Sequence, residues 1–395
     1  MRRVSSSTAL ALLFLILTLH AAAAMVPLPQ ADTARFAPKA APPRPARQVP
    51  AVRWAARQDS SPPLHTLQPR SPPQRPAVLA EIYRGRPRHA AGSGTPGGAA
   101  DSVVQTAPTS AMMPAPILSF EGIDNRNGKA PSDAVGDVGP DHYVQMVNVS
   151  FAIWDKQGRL LYGPAGIDTL WSGFGGLCET AGRGDPIVLY DLLADRWLIS
   201  QLAFESTLTG RPRGPFYECV AISKTPDPTG VWHRYAFLYS QTLLNDYPKL
   251  AVWPDGYYMS ADQFDAVSGG WAGVGVVVLE RDKMLKGLPA RMIYFDLGEV
   301  DYRFWSLLPS DIDGPPPPDG TPNYYLNMHD AEDALVPTDR LNLWELYVDW
   351  QYPARSTFGK DGAPNLVLST VPFDSNMCGF SRNCIPQPDV GQRVD

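Results

Sequence analysis

A motif that recurs at nearly regular spacing constrains the fold of this chain more than any other feature. In each copy, a turn containing Asp or Asn precedes an aromatic residue that opens a short strand, as in "LYDLLADRWLISQ" and "VWPDGYYMSADQ". The aromatic residues are Tyr143, Trp197, Tyr257 and Tyr324, so successive copies lie 54, 60 and 67 residues apart. A repeat of this kind predicts a series of similar supersecondary units.

Each copy is followed by a second pair of short apolar runs that predicts an outer hairpin. These hairpins cover residues 151–164, 218–237, 275–295 and 343–358. Two inner and two outer strands per unit are typical of a β-propeller blade. We therefore predict an all-β fold, a β-propeller over residues 117–395 with about four blades and part of another. A β-sandwich is the alternative, because short strands with frequent turns also fit it; the fixed internal order of the repeat favours the propeller.

The N-terminal 24 residues have the order of a secretory signal peptide. Arg2 and Arg3 come first, the apolar run "ALALLFLILTL" follows, and the segment ends in small residues at Ala21–Ala24. The sequence thus predicts a secreted or surface-displayed protein, with the periplasm as an alternative location. No later run approaches about 18 uninterrupted apolar residues, so no transmembrane segment is expected after signal cleavage.

Residues 25–116 differ in composition from the rest of the chain. They are rich in Pro, Ala, Ser, Gln and Arg and contain few clustered aliphatic or aromatic residues, which predicts a disordered linker. Residues 25–115 carry a formal charge of +7, and residues 116–395 carry −15. The basic part is either a solvated spacer or a contact for an anionic surface. The acidic part argues against nucleic acid as a partner.

Four cysteines in an exported chain predict a disulfide framework. Three pairings are compatible with four cysteines. Cys178 and Cys219 flank one repeat, and Cys378 and Cys384 enclose the short loop "CGFSRNC". We predict the pairs Cys178–Cys219 and Cys378–Cys384, both with a structural role.

Several segments resemble a family of secreted, mostly uncharacterised bacterial proteins. These segments are "GDVGPDHYVQMVN", "LWSGFGGLCETAGRGDPIVLYDLLADRWLISQ", "NDYPKLAVWPDGYYMS" and "FDSNMCGFSRNCIPQP". The resemblance implies a β-propeller related in layout to neuraminidase-like (BNR) repeat proteins, and it implies no established activity. Members of the family extend further, so the resemblance also implies that the chain is truncated at its C-terminus. The Asp-box of sialidases is absent, since "SKTPDPTGVW" only echoes it, and this argues against a sialidase.

The run "DPIVLYDLLADRWLIS" is also similar to a strand pair of five-bladed glycoside hydrolases, in which an Asp beginning the innermost strand points into the central funnel. By repeat position, this resemblance makes Asp185 and Asp246 the candidate catalytic residues. Asp137 and Asp313, or Asp311 in place of the latter, join them as candidate ligand or cation residues. Such carboxylates could carry glycoside hydrolysis or hold a calcium ion. The third alternative is that each Asp caps a turn through backbone N–H groups.

Two functional hypotheses follow from these features. The first is a secreted or surface-displayed binding module for a glycan or a cell-surface protein, because the chain has an export signal and no complete catalytic constellation. The alternative is a polysaccharide-acting glycoside hydrolase that uses Asp185 and Asp246; a paired general-acid Glu is not identifiable, and Glu205 is available only by position. Four tryptophans are expected to pack between blades rather than to bind sugars: Trp197, Trp232, Trp253 and Trp271.

Overall fold

The computed structural model describes residues 48–71, 114–126, 132–330 and 338–373, together with the backbone of residues 385–387 and 390–394. All of them belong to one compact unit, residues 43–395. Among them, no helix has both the length and the apolar character needed to cross a membrane. The predicted signal peptide and the pair Cys378–Cys384 lie outside the described residues.

The described part of the chain is built almost entirely from short antiparallel strands. The strands are Ala51–Trp54 (β1), Arg57–Ser60 (β2), Ala134–Val138 (β3), His142–Val147 (β4), Ser150–Asp155 (β5), Leu160–Gly166 (β6), Gly182–Asp191 (β7), Arg196–Ser206 (β8), Pro212–Ser223 (β9), Trp232–Ser240 (β10), Leu243–Trp253 (β11), Gly256–Asp265 (β12), Trp271–Leu279 (β13), Arg291–Asp296 (β14), Leu308–Pro309 (β15), Asn323–His329 (β16), Arg340–Tyr347 (β17), Thr357–Phe358 (β18), Leu366–Ser369 (β19), Ile385–Gln387 (β20) and Val390–Val394 (β21). Short α-helices span Gly176–Thr180 (α1), Arg281–Met284 (α2) and Gly298–Asp301 (α3), and 3-10 turns span Leu64–Thr66, Ile167–Thr169 and Pro353–Arg355.

The strands form sheets that follow one another along the chain. Blade 1 has the order β3-β4-β5-β6, blade 2 β7-β8-β9-β10-β2, blade 3 β11-β12-β13-β14-β1, and blade 4 β15-β16-β17 with β18 and β19 both paired to β17. Strands β20 and β21 form a separate hairpin. The innermost strands β3, β7, β11 and β15 pack next to one another in that order. This arrangement is a β-propeller, as the repeat predicts.

Hydrophobic cores fill the spaces between successive blades. Side chains alternate along a strand, so Trp197 and Ile199 of β8 pack toward blade 1, while Leu198 between them packs toward blade 3. A third core joins blades 3 and 4 around Tyr258 and Trp344. Because both faces of the middle blades are covered, their strands are nearly continuous apolar runs.

The tryptophans take the packing role expected of them. Trp197, Trp232 and Trp253 are buried, and each indole N–H donates to a backbone carbonyl, those of Pro226, Pro228 and Thr321, at 2.9–3.1 Å. Trp271 is half-buried and its indole donates to the Tyr302 carbonyl. These indole rings therefore pack within the fold and hydrogen-bond to its backbone.

Residues 48–71, here called the strap, lie along the outer edges of three blades. Strand β1 extends blade 3 by pairing with β14, and β2 extends blade 2 by pairing with β10. At the end of the strap, the Gly166 N–H of blade 1 donates to the Arg70 carbonyl at 2.7 Å. The strap thus contacts blades 3, 2 and 1 in the reverse of their chain order.

The prediction of a disordered linker is wrong for this part of residues 25–116. Leu64 of the strap is 1% exposed and belongs to the core between blades 1 and 2. The Nε and Nη2 atoms of Arg234, a residue only 2% exposed, donate to the two oxygens of the Asp59 carboxylate at 2.8 and 2.7 Å. The average composition of the segment conceals the two short strands, whose stability depends on blade edges far along the chain.

A disulfide joins Cys178 of α1 to Cys219 of β9, as predicted. It fastens the segment that leads into β7, the innermost strand of blade 2, to a central strand of the same blade. With a sequence separation of 41 residues, the loop-entropy model gives a stabilisation of about 4 kcal/mol. The disulfide therefore holds the start of β7, where the candidate site begins.

Candidate functional site

At the opening of each innermost strand, either just before it or within its first five residues, one non-glycine residue lies in the left-handed backbone region. These residues are Asp133, Asp185, Tyr247 and Ser306, with φ of 46°, 47°, 50° and 43°. In β7 and β11 the pairing register shifts at this point, between Gly184 and Ile187 and between Asp246 and Lys249. Bulges of this type redirect side chains. The same end of each innermost strand therefore presents side chains that a regular strand would direct elsewhere.

Asp185 and Asp246, the predicted catalytic pair, lie together at this end of the propeller. A hydrogen bond joins their carboxyl groups, and the Tyr247 N–H donates to Asp185 Oδ2 at 3.2 Å. Both aspartates are half-buried. The structure thus brings together residues from blades 2 and 3 that are 61 positions apart in the sequence.

Three residues that the sequence analysis missed complete the group. Asp133 from blade 1 and Asp262 from blade 3 act electrostatically on the same carboxyl groups, and the ammonium of Lys249 interacts with all four aspartates. We call Asp133, Asp185, Asp246, Asp262 and Lys249 the acidic cluster. It draws charged side chains from three blades to one place.

Neighbouring polar groups hold two of these carboxylates in position. The Asn148 side-chain amide donates to Asp133 Oδ2 at 2.6 Å. The Ser306 backbone N–H and hydroxyl donate to the two oxygens of Asp262 at 2.7 and 3.0 Å. Since Ser306 opens the innermost strand of blade 4, every blade contributes at least one residue to the cluster or its support.

Burial and mutual repulsion change the protonation of the cluster. Burial, reinforced by the Asp185 charge, raises the pKa of Asp246 well above its usual value. Burial also raises the pKa of Asp185 and, with the Asp185 charge, raises the pKa of Asp133 to about 6. Burial lowers the pKa of Lys249 to about 8, against the opposing pull of the carboxylates. Asp246 therefore keeps its proton to higher pH than an ordinary aspartate does, while Asp133 is ionised above about pH 6.

A further acidic group lies beneath the cluster. Glu218 is 1% exposed, and its Oε2 accepts a hydrogen bond from the Asn245 side-chain amide at 2.9 Å. Burial raises the pKa of Glu218 well above its usual value. Asn245 immediately precedes Asp246, and this buried contact fixes the strand on which Asp246 stands.

Asp137 is not part of the cluster, and its predicted convergence with Asp185 and Asp246 is wrong. Its Oδ2 accepts the Tyr190 N–H at 2.6 Å, near the far end of β7 from Asp185. Asp133, four residues earlier in the chain, takes the place assigned to Asp137. Asp137 instead ties blade 1 to blade 2 through a backbone N–H, the third alternative that the sequence left open.

The candidates from blade 4 also lie away from the cluster. Asp311 Oδ1 accepts the Val252 N–H at 2.6 Å, and Asp311 and Asp313 are exposed residues. The Asp311 carboxyl interacts electrostatically with Asp137 and Asp313, which groups these three at the other end of the innermost strands. Glu205 is exposed and pairs with Arg213 at 3.1 Å, so it does not join the acidic cluster.

The feature that separates Asp133 from Asp137 is the backbone conformation, which the sequence does not show. Asp133 and Asp185 both have a left-handed backbone and stand at the opening of an innermost strand. Asp137 matches Asp185 only in residue type. In blade 3, Tyr247-Pro248 occupies the position of Asp185-Pro186, so Asp246 stands one residue earlier than its proposed equivalent. Within the described residues, no three His, Cys, Asp or Glu side chains form a group suited to a metal ion. The calcium ion stays a prediction.

Comparisons with known proteins return distant structural likenesses. No protein-family model matches the sequence, and no curated protein matches it. An exo-1,5-α-L-arabinanase from a bovine ruminal metagenomic library aligns with 57% of this chain and 77% of its own at 12% identity, with a TM-score of 0.29. A GH43 endo-arabinanase from Bacillus licheniformis aligns with 58% of this chain and 78% of its own at 11% identity, with a TM-score of 0.30.

A third solved structure, an exo-β-1,3-galactanase from Clostridium thermocellum, aligns with 61% of this chain and 65% of its own. The identity is 11% and the TM-score is 0.24. Likenesses of this size carry no argument about the activity of this chain. The layout related to neuraminidase-like proteins stays a prediction.

Proposed function

We propose that the acidic cluster binds a glycan at the end of the propeller and hydrolyses a glycosidic bond. The observation that supports this proposal is the set of four aspartates from three blades, in which Asp246 keeps its proton to higher pH than an ordinary aspartate and Asp133 is ionised above about pH 6. Glycoside hydrolysis requires one carboxylic acid and one carboxylate beside the bond. Neighbouring groups that separate two carboxyl pKa values supply this pair.

The contact between Asp185 and Asp246 supports the following roles for the cluster. Two carboxyl groups in direct contact cannot flank a glycosidic bond, so they act as one unit and Asp133 supplies the second carboxyl group. Asp246 donates its proton to the glycosidic oxygen as the bond to the anomeric carbon breaks. Asp133 accepts a proton from the attacking water, whose oxygen completes the new hemiacetal. The transfer leaves Asp246 ionised, and its carboxylate, together with Asp185 beside it, stabilises the positive charge that develops on the sugar.

The charge of the cluster indicates the class of glycan. Four aspartates face a single Lys249, and the folded part of the chain carries an excess of acidic residues. Carboxylates of a polyuronate would be repelled at this place. The proposed substrate is therefore a neutral polysaccharide, met outside the cytoplasm if the predicted signal peptide acts as such.

Reducing-end release from arabinan, galactan, xylan and dextran tests this function, with polygalacturonate as the anionic comparison. Asp133→Asn and Asp246→Asn are expected to lose activity by at least about 100-fold, the usual contribution of acid–base groups, without losing stability. Asp313→Asn, a matched change at an exposed residue outside the cluster, should retain activity. Cleavage that survives in both cluster variants would refute the proposed roles.

A binding module without catalysis is the second candidate. It is favoured by the contact between Asp185 and Asp246, which commits two of the four carboxyl groups to each other. The same purified protein on a glycan array distinguishes the two functions. Strong retention of a glycan with no reducing-end release from it would support the binding module and reject hydrolysis.

A further inference from the structure

We propose that Tyr247 is the residue on which the sugar bound at the acidic cluster stacks. This inference rests on the proposed glycan function and adds a binding residue to it. Its first support is the backbone. Among the four left-handed residues that open the innermost strands, three are Asp or Ser, and Tyr247 is the bulky one, with φ of 50°.

A bulky side chain in the left-handed region is an outlier that needs a reason. Asp can occupy this region with less strain, because its short polar side chain bonds locally. Tyrosine has no such compensation. Strained residues that persist cluster at ligand sites, and Tyr247 directly follows Asp246 and donates its N–H to Asp185.

The position of the ring is the second support. Tyr247 is 57% exposed, in contrast to the buried tyrosines that fill the cores. The Lys249 ammonium lies 2.9 Å from the centroid of its ring, so the same lysine that interacts with the four aspartates also holds the ring. An exposed aromatic ring fixed beside polar groups is the arrangement that binds one apolar sugar face while hydrogen-bonding groups bind the hydroxyls.

Three variants separate stacking from other roles of this residue. Tyr247→Phe keeps the ring and removes the hydroxyl. Tyr247→Asn removes the ring and keeps a residue that tolerates φ above zero, so the fold is retained. Tyr352→Asn is the matched control, because Tyr352 is also exposed, at 49%, and also carries a cation over its ring, Arg355 at 4.2 Å, but lies in the segment that follows β17 in blade 4.

Native affinity gels containing arabinan, galactan, xylan or dextran measure binding without requiring cleavage. We expect Tyr247→Asn to weaken binding about 3- to 10-fold, the range of one aromatic contact, while Tyr247→Phe and Tyr352→Asn bind as the unaltered protein does. Circular dichroism melting confirms that each variant is folded.

Each outcome decides a different question. Unchanged binding in Tyr247→Asn, equal weakening in Tyr247→Phe, or equal weakening in Tyr352→Asn would overturn the stacking role. Binding that depends on the Tyr247 ring with no cleavage of the polymer would support the stacking role and reject hydrolysis. An unaltered protein that binds none of the four polymers would overturn both proposals.

Discussion

Two groups of the acidic cluster titrate on either side of neutral pH. Asp133, with a pKa of about 6, must be ionised to accept a proton, and Lys249, with a pKa of about 8, must be protonated to offset the cluster's charge. We expect kcat/KM on a cleaved polymer to follow a bell-shaped curve with limbs near these values. Lys249→Met should shift the alkaline limb, and a limb unchanged in this variant would contradict the assignment.

The same pKa shift has a consequence for stability. The folded-state pKa of Asp133 is raised above its ordinary value of 3.8, so its stabilising contribution is complete below about pH 3.8 and is lost as the pH rises through about 6. Asp133→Asn is expected to melt at a higher temperature than the unaltered protein at pH 7 and to lose this advantage at pH 4. The melting temperatures of Asp133→Asn also show that this variant is folded at the pH values used for the kinetic profile.

A buried ion pair fixes the far end of β7 to blade 3. Arg281 donates to both oxygens of Asp191 at 2.7 and 2.8 Å, and the Asp191 side chain is 0% exposed. Arg281→Leu would leave this carboxylate buried without its cation, which costs about 3–5 kcal/mol. Urea unfolding should show this loss. Arg213→Leu, which breaks the exposed pair with Glu205, should cost less than about 1 kcal/mol, and equal losses would show that burial of the pair is unimportant.

At the residue scale, the sequence predicted part of the cluster. The run that begins with Asp185-Pro186 pointed to Asp185, and the equivalent position in the next repeat pointed to Asp246. Asp262 was missed because it lies inside the run "MSADQFD" in the second strand of blade 3, where a half-buried polar residue looks like ordinary alternation. The run "SDAVGD" contains Asp133 and Asp137, and the backbone φ decides which of the two enters the cluster. The sequence alone does not show this φ.

At the element scale, the strap shows what local sequence cannot predict. Its strands are four residues each, Ala-Val-Arg-Trp in β1 and Arg-Gln-Asp-Ser in β2, and they share no apolar pattern that would mark them as strands. Ala51 pairs with Tyr294, and Gln58 with Tyr235. Isolated four-residue strands are not stable in water, so only the distant edges of β10 and β14 make this segment a strand. The blades themselves are local, and the repeat predicted them correctly.

The strap should remain bound after the chain is cut beyond it. A specific protease site inserted within residues 72–113 would allow the covalent link between the strap and the blades to be cut. Because its contacts span three blades, we expect both fragments to co-elute in size-exclusion chromatography and to separate only in urea. Asp59→Ala removes the partner of buried Arg234 and should release the strap at lower urea concentration. Val49→Ala, at a residue 65% exposed, should not, and early release in both would argue against a specific anchor.

At the scale of the whole molecule, the repeat and the structure agree in their order. The aromatic markers Tyr143, Trp197, Tyr257 and Tyr324 fall in β4, β8, β12 and β16, the second strand of each blade. The expected hairpins fall on the outer strands. One face of blade 4 differs from the inner blades within the described residues: Leu308, Leu326 and Leu366 lie in neighbouring strands and are 52%, 39% and 47% exposed.

The positions of the strap's partner strands also determine when the strap can pair during synthesis. Ala51 leaves the ribosome long before Tyr294, its partner roughly 240 residues later, and chains grow at about 5–20 residues per second. About 10 to 50 seconds therefore pass between the synthesis of β1 and the synthesis of β14, the strand with which it pairs. It contacts blade 3, then blade 2, then blade 1, while synthesis delivers them in the opposite order. The strap, the first of the described segments to be synthesised, is thus among the last to reach its place, because it pairs with strands that are made after it.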